Sequence, residues 1–262
     1  MGALNVTPDS FSDGGDFLDP DKAVERALEI EREGAHILDI GGESTRPGSE
    51  GIPAEEEIRR VLPVLHEIRG KIQIPISIDT SKSEVAEAAA EAGADIINDV
   101  TALRNDPRIA ETVRRRKLAL ILMHMRGEPR RMQKMPFAKN ALSDVISGLK
   151  KASALAESTG ISKSRIVIDP GIGFGKSYEQ NFELIARLPD LARLEFPLLI
   201  GTSRKTFIGR ALGGAPEKER AWGTAATVAA SILQGAHIVR VHDVAQMVQV
   251  ALVADELLAH GS

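Results

Sequence analysis

The sequence contains no cysteine, which excludes disulfides, thiolate metal sites, iron–sulfur clusters and a thiol nucleophile, and agrees with a reducing compartment such as the cytoplasm. It lacks any apolar run near the roughly 18 residues of a membrane span, and its N-terminus lacks a basic segment leading into an apolar one. No membrane partner is expected. An excess of positive charge is also missing. The net charge is −4, so the overall field does not attract nucleic acid, and an anionic ligand would need a local cluster of donors. Absent too is the GxGxxG turn of a dinucleotide-binding sheet, because Asn5-Val6-Thr7-Pro8 follows the first apolar run.

Apolar material is not lacking: 43% of the 262 residues are hydrophobic and 27% charged, ordinary values for a domain with a sizeable core. The β-branched residues gather in eight short runs, at 3–6, 36–40, 76–79, 95–99, 118–123, 166–169, 197–201 and 237–241, separated by amphipathic helical stretches. Runs this apolar read as strands buried on both faces, the mark of a parallel sheet covered by helices. Together they predict an α/β fold, a closed (β/α)8 TIM barrel with residues 1–262 as a single domain. Three units share a formula, Glu33-Gly34-Ala35, Ala92-Gly93-Ala94 and Gln234-Gly235-Ala236, each a helix end closed by glycine just before a strand. Helix starts are read at Asp19-Pro20, Asp106-Pro107, Ser81 with Glu84, and Ser177 with Gln180. The basic, methionine-rich stretch from Arg126 to Lys139 is expected to be a long loop after strand five.

In a parallel barrel the site lies at the C-terminal ends of the strands. Those positions hold Asn5, Asp39, Asp79, Asn98 with Asp99, His124, Asp169, the run Ser203-Arg204-Lys205, and Arg240 with His242. A lone Asp after a strand is as often a helix cap or turn residue as a catalyst. Polar groups at the end of every strand mark a site. Carboxylates and amides suit a flat heterocycle with donor edges, whereas Lys205, Arg240 and His242 at strands seven and eight suit a phosphate. The run Asp169-Pro170-Gly171-Ile172-Gly173-Phe174-Gly175-Lys176-Ser177 looks like a phosphate loop but has proline where GxxxxGK[ST] needs its first glycine. Its glycines would instead let backbone approach a flat ligand, with Lys176 at the surface. The glycine-flanked loops at 9–15 and 41–48 suit lids that close over substrate.

Taken together, ALNVTPDSFSDGG at 3–15, DIGGESTRPG at 39–48, SIDT at 77–80, NDV at 98–100, DPGIGFGK at 169–176, SRK at 203–205 and RVHD at 240–243 resemble the motifs of the dihydropteroate synthase family, in the family's order. The resemblance implies a transferase of folate biosynthesis that joins 6-hydroxymethyl-7,8-dihydropterin pyrophosphate to p-aminobenzoate. It implies pterin binding by Asp79, Asn98, Asp169, Lys205 and Arg240, with Asp79, Asp169 and Lys205 catalytic. Pyrophosphate is implied at Asn5, Arg46, Arg240 and His242, with Mg2+ at Asn5. The p-aminobenzoate pocket, where sulfonamides compete, is implied at Phe11, Thr45, Pro47, Phe174 and Ser203. A cytoplasmic homodimer is implied as well. Family members carry a short segment ahead of the first strand, whereas this chain begins at Met1-Gly2 on that strand, which implies a truncated start or a barrel bottom closed another way. A methyltetrahydrofolate methyltransferase would share the pterin pocket but has no reason to keep the two lid loops and SRK together, and a silent pterin-binding paralogue is opposed by the presence of Asn5, Arg46, Lys205, Arg240 and His242.

Overall fold

The structure is a computed structural model and describes residues 1–7, 20–44, 48–127, 132 and 137–261. Eight strands alternate with helices: β1 (Gly2–Asn5), α1 (Pro20–Arg32), β2 (Leu38–Gly41), α2 (Ala54–Ile68), β3 (Ile76–Asp79), α3 (Ser83–Glu91), β4 (Ile96–Asp99), α4 (Ile109–Arg116) and β5 (Ala119–Met123). They continue with α5 (Ala141–Ser158), β6 (Ile166–Asp169), α6 (Tyr178–Ala186), α7 (Leu188–Ala192), β7 (Leu199–Ile200), α8 (Thr206–Ala211), α9 (Ala221–Leu233), β8 (Ile238–Val239) and α10 (Val244–His260).

Strands β1 to β6 form one parallel sheet in chain order, and β7 pairs with β8 in a second. Parallel bridges Gly2↔Val241 and Ile168↔Leu198 join the two at both seams, where Ala3 N donates to Val241 O at 2.9 Å and Ile168 N to Pro197 O at 3.0 Å. The ring is therefore a closed (β/α)8 TIM barrel. Among the described residues the sheet has no free edge to protect. The ladder register places Asn5 beside Gly41, Gly41 beside Asp79, and Asp79 beside Asn98, so these strand ends lie level around one rim.

The core explains why these runs are strands. Leu38, Ile40, Ile76, Ile78, Ile97 and Leu120 are all fully buried, and each such side chain contributes about 1.5–3 kcal/mol relative to exposure. The helix ends read from glycine hold: Gly34, Gly93 and Gly235 have φ of +96°, +97° and +96°, a region cheap for glycine alone. The capping box of α6 is present, with Ser177 Oγ accepting from Gln180 N at 3.2 Å and Gln180 Oε1 from Ser177 N at 3.0 Å.

Two helix starts differ from the sequence reading. Helix α3 begins at Ser83 behind Lys82 with no side-chain cap, and Asp106 Oδ2 reaches across to accept from Ser83 N at 3.0 Å, so this helix start is held from another βα unit rather than by Ser81. Asp106 also accepts from Arg108 N at 3.1 Å, but regular α-helix starts only at Ile109. Asp19 lies outside the described residues, as do 128–131 and 133–136 of the stretch expected to be a long loop. Among the described residues no helix is long and apolar enough to cross a membrane.

Candidate functional site

A cavity of about 1060 Å³ opens at the C-terminal ends of the strands. It is lined by every described residue to which the family resemblance gave a role, Asn5 on β1, Asp79 on β3, Asn98 on β4, Asp169 on β6, Phe174 beyond it, Ser203 and Lys205 after β7, and Arg240 and His242 after β8, whereas the strand-end residues Asp39, Asp99 and His124 are not in its lining. Phe11, Thr45, Arg46 and Pro47 lie outside the described residues. Asp99 turns away from this role. Its carboxylate accepts from Thr101 N at 2.8 Å, Thr101 Oγ1 at 2.7 Å and Leu103 N at 2.6 Å, which holds a turn where Ala102 and Leu103 both have positive φ.

The floor is ionic. Arg240 Nε donates to Asp39 Oδ2 at 2.6 Å and Nη2 to Asp79 Oδ2 at 3.3 Å, while Asn98 Nδ2 donates to Asp39 Oδ2 at 3.3 Å. Asp39 is fully buried. One guanidinium thus serves two carboxylates from neighbouring strands. Burial pushes the Asp79 carboxyl up to about 8, against the pull of Arg240. Asp39 stood at a strand end in the sequence, but its partner is 201 residues away, so only the closed ring shows it bracing Arg240.

Asp169 Oδ1 accepts from Gly171 N at 2.7 Å, and burial raises its proton affinity while Lys205, Lys176 and Arg240 oppose the rise. Lys205 donates to Ile172 O and lies 3.9 Å from the Phe174 ring centroid; burial brings its ammonium down to about 7. Gly173 permits this, since a Cβ there would come within 2.8 Å of the Lys205 side chain. Phe174 also packs against Val100, Met123, Met125 and Met132, a soft apolar wall suited to a flat ring. Towards the mouth, Ser203 Oγ accepts from His242 N at 3.1 Å and lies 3.0 Å from His242 Nδ1.

Lys176 is a correction. It was expected at the surface but is only 4% exposed, with Nζ 2.8 Å from His124 O and 3.1 Å from His124 Nδ1. The glycine-rich loop folds inward against the end of β5 rather than out to solvent. His124 consequently carries no charge: desolvation and the nearby Lys176 ammonium lower it to about 3. Because the folded state needs neutral imidazole while the unfolded chain protonates near 6.5, stability from His124 is fully present above pH 6.5 and is lost as pH falls towards 3. We expect a loss of about 2 kcal/mol by pH 5, read by urea unfolding, and absent in His124→Asn; equal acid sensitivity in the variant would remove His124 as the cause.

The sequence reading also missed a second network. Lys82 reaches Glu43 at 2.6 Å and the fully buried Glu57 on α2, and Glu43 Oε1 accepts from Ile52 N at 3.0 Å, clasping the stem of the loop after β2. A signal was available: Glu57 shares a stripe with Val61, Val64, Leu65 and Ile68, an apolar helix face on which a carboxylate needs a partner. Lys82→Met should cost about 1–3 kcal/mol in urea unfolding, less than a trapped charge would, because burial already raises the Glu57 carboxyl and eases its protonation. An unchanged midpoint would show the network to be idle.

The sequence family described as pterin binding enzyme matches residues 1–242. The dihydropteroate synthase of Synechocystis sp. is 47% identical over 98% of this chain and 89% of its own. That of Bacillus subtilis is 45% identical over 100% of this chain and 89% of its own. Among solved structures, the Xanthomonas albilineans dihydropteroate synthase in complex with 7,8-dihydropteroate has a TM-score of 0.88 at 41% identity, covering 99% of this chain and 93% of that one. The Yersinia pestis dihydropteroate synthase with a sulfonamide drug complex has a TM-score of 0.92 at 39% identity, again over 99% and 93%. On this agreement of sequence, fold and rim, the chain belongs to the pterin-binding enzyme family, among its dihydropteroate synthases.

Proposed function

We infer that the chain condenses 6-hydroxymethyl-7,8-dihydropterin pyrophosphate with p-aminobenzoate, releasing pyrophosphate and giving 7,8-dihydropteroate for folate biosynthesis. The observation that carries this reading is the ionic floor of Asp79, Asp169, Lys205 and Arg240 beneath one cavity. Asp169, Asp79 and Asn98 offer acceptors to the donor edge of a pterin. When pyrophosphate leaves the pterin methylene, positive charge develops on the ring, and fixed carboxylates in a low-dielectric pocket stabilise it without reorganising. The arylamine then attacks that methylene, and its surplus proton is lost. Ser203 and Phe174 lie where the arylamine would approach, in the pocket that sulfonamides would share. Arg240 and His242 stabilise the departing anion. No covalent enzyme intermediate is needed.

Among the described residues no group of three His, Asp or Glu side chains could hold a metal ion. The rim offers the Asn5 amide instead, a donor set that fits Mg2+, which retains several waters and is held largely through substrate phosphates. Bound there, the ion would neutralise pyrophosphate charge. A homodimer in the cytoplasm completes the reading. Its support is the apolar surface of α9 and α10, where Trp222 is 86% exposed and Leu252, Val253 and Leu257 lie open, a patch of the kind that monomers rarely leave uncovered. Sedimentation of a Leu257→Glu variant tests the dimer, since an unshifted species would place the interface elsewhere.

Turnover with both substrates tests the activity. A protein that binds pterin but forms no dihydropteroate would be a silent paralogue. His242→Ala should weaken pyrophosphate by about tenfold while leaving free pterin unchanged, as expected for one charge-assisted contact. Calorimetry with each ligand reads the ratio, and equal losses would assign His242 to the fold.

A further inference from the structure

Lys176 is a buried cation on the wall of the cavity that the reaction as written does not use. Two of its three N–H donors are spent on one residue, His124, at the end of β5. That strand end is itself tied to β6, since His124 N donates to Asp169 O at 2.8 Å. Between them lies Gly171, with φ of +66°, where an added Cβ would stand 2.0 Å from His124 O and 3.2 Å from Lys176 Nζ. Gly171 N is also the donor to Asp169 Oδ1. The ammonium and the carboxylate thus both approach one glycine, with no ion pair between them. Gly175 repeats the arrangement, as a Cβ there would meet Arg126 O at 2.3 Å, so the whole turn from 171 to 176 lies against the β5 end.

We propose that Lys176 is a positioning residue for the pterin site: pinned through His124, its ammonium keeps the adjacent Asp169 carboxylate ionised and ready to accept from the ligand's donor edge. The inference rests on the pterin site proposed above. Other charges face this carboxylate or its neighbour. Lys205 follows β7, Arg240 lies on the β8 side, and Asp79 and Asp39 approach from β3 and β2. Arg104 lies beyond β4, and Asp144 on α5 is 3.6 Å from His124 Nε2 and paired with Arg126. Of the three cations around Asp169, Arg240 is committed to Asp39 and Asp79, and Lys205 to Ile172 O beside Phe174. Lys205 and Lys176 are both held by neutral partners, so both charges act on Asp169, and Lys176 is the one of the two to which the proposed reaction gives no contact with substrate. Below pH 7 it is protonated, which is where an acid-weakened carboxylate needs support.

The experiment compares Lys176→Met, which removes charge and pin, with Lys176→Gln, which removes charge but keeps a donor for His124 O. Binding of 6-hydroxymethylpterin to each full-length protein is followed by calorimetry from pH 7.5 to pH 5. The expected result is that both variants lose affinity about tenfold more than the wild-type protein does across this range, the equivalent of one pKa unit on Asp169, while all three agree within about twofold at pH 7.5. A loss equal at every pH, a loss in Lys176→Met alone, no loss, or failure of both variants to fold would each make Lys176 a structural pin and overturn the proposal. Carbon NMR of the Asp169 carboxyl in ligand-free protein reads the same shift without a ligand. Failure of the wild-type protein to bind the pterin would instead overturn the functional reading, and the carboxyl titration would still decide this one.

Discussion

Asp169→Asn should abolish pterin binding while leaving the barrel standing. Asp169 already accepts from Gly171 N through Oδ1 at 2.7 Å, and an asparagine can keep that bond with its single carbonyl oxygen. What then faces the cavity is an amide NH2 in place of a carboxylate oxygen. A pterin edge presents N–H donors, so donor would meet donor in a site from which water is excluded, and the ligand would leave its own groups unpaired. The lost charge adds to this, since losing one member of a buried, charged hydrogen-bonded pair costs about 2–5 kcal/mol, roughly thirty-fold to several thousand-fold in affinity. Stability should move the other way, because removing a desolvated carboxylate relieves a cost that burial now imposes. Calorimetry with a pterin, beside a thermal melt, separates the two effects. Undiminished affinity would take Asp169 out of the site, and a collapsed melting temperature would make its role one of folding.

Much of this was legible in the chain because barrel strands are short, apolar and local. Every one of the runs expected as strands overlaps a strand, with β1 and β2 each shifted past one end of the run, although β7 and β8 shrink to two residues each where the ring closes through single bridges. The rim residues followed from counting to the end of each run, since a parallel sheet sends all its C-terminal ends to one side. What escaped were relations across the ring. Asp39 with Arg240 and Lys176 with His124 each join segments far apart in sequence, and no periodicity encodes them. Lys176 misled for a further reason: failing the phosphate-loop spacing left it without a role, and a lysine without a role is usually solvated. Ser81 misled because local capping rules cannot see Asp106 arriving from another unit.

Arg240→Ala should be the most damaging single change to the floor, and its cost should depend on pH in a defined direction. The guanidinium holds Asp39 at 2.6 Å and Asp79 at 3.3 Å, and Asp39 has no exposed surface at all. Removing it leaves two carboxylates from adjacent strands facing one another, with the Asn98 amide still donating to Asp39, a situation that costs about 3–5 kcal/mol when a buried pair loses one partner. The protein has one escape, which is to take up a proton. Burial already pushes Asp79 up to about 8, and losing the cation that pulls against this raises it further. Above pH 8 the folded variant therefore keeps a proton that the wild-type protein has released and that the unfolded chain, with ordinary carboxyls near 4, does not bind. A raised folded pKa means stability that is present at low pH and lost as pH rises. Urea unfolding should accordingly show a deficit that is level from pH 5 to about pH 8, where both folded forms hold the Asp79 proton, and that grows as pH rises above 8; a deficit that does not grow there would mean that Asp39 and Asp79 are not what Arg240 holds apart. Lys in its place would restore only part, because one ammonium lacks the planar fork that serves Nε and Nη2 to different strands at once. Binding should follow stability here, in contrast to His242→Ala: with the floor rearranged, pterin and pyrophosphate are both lost, since the carboxylate that meets the ring and the cation that meets the phosphate are two ends of one network.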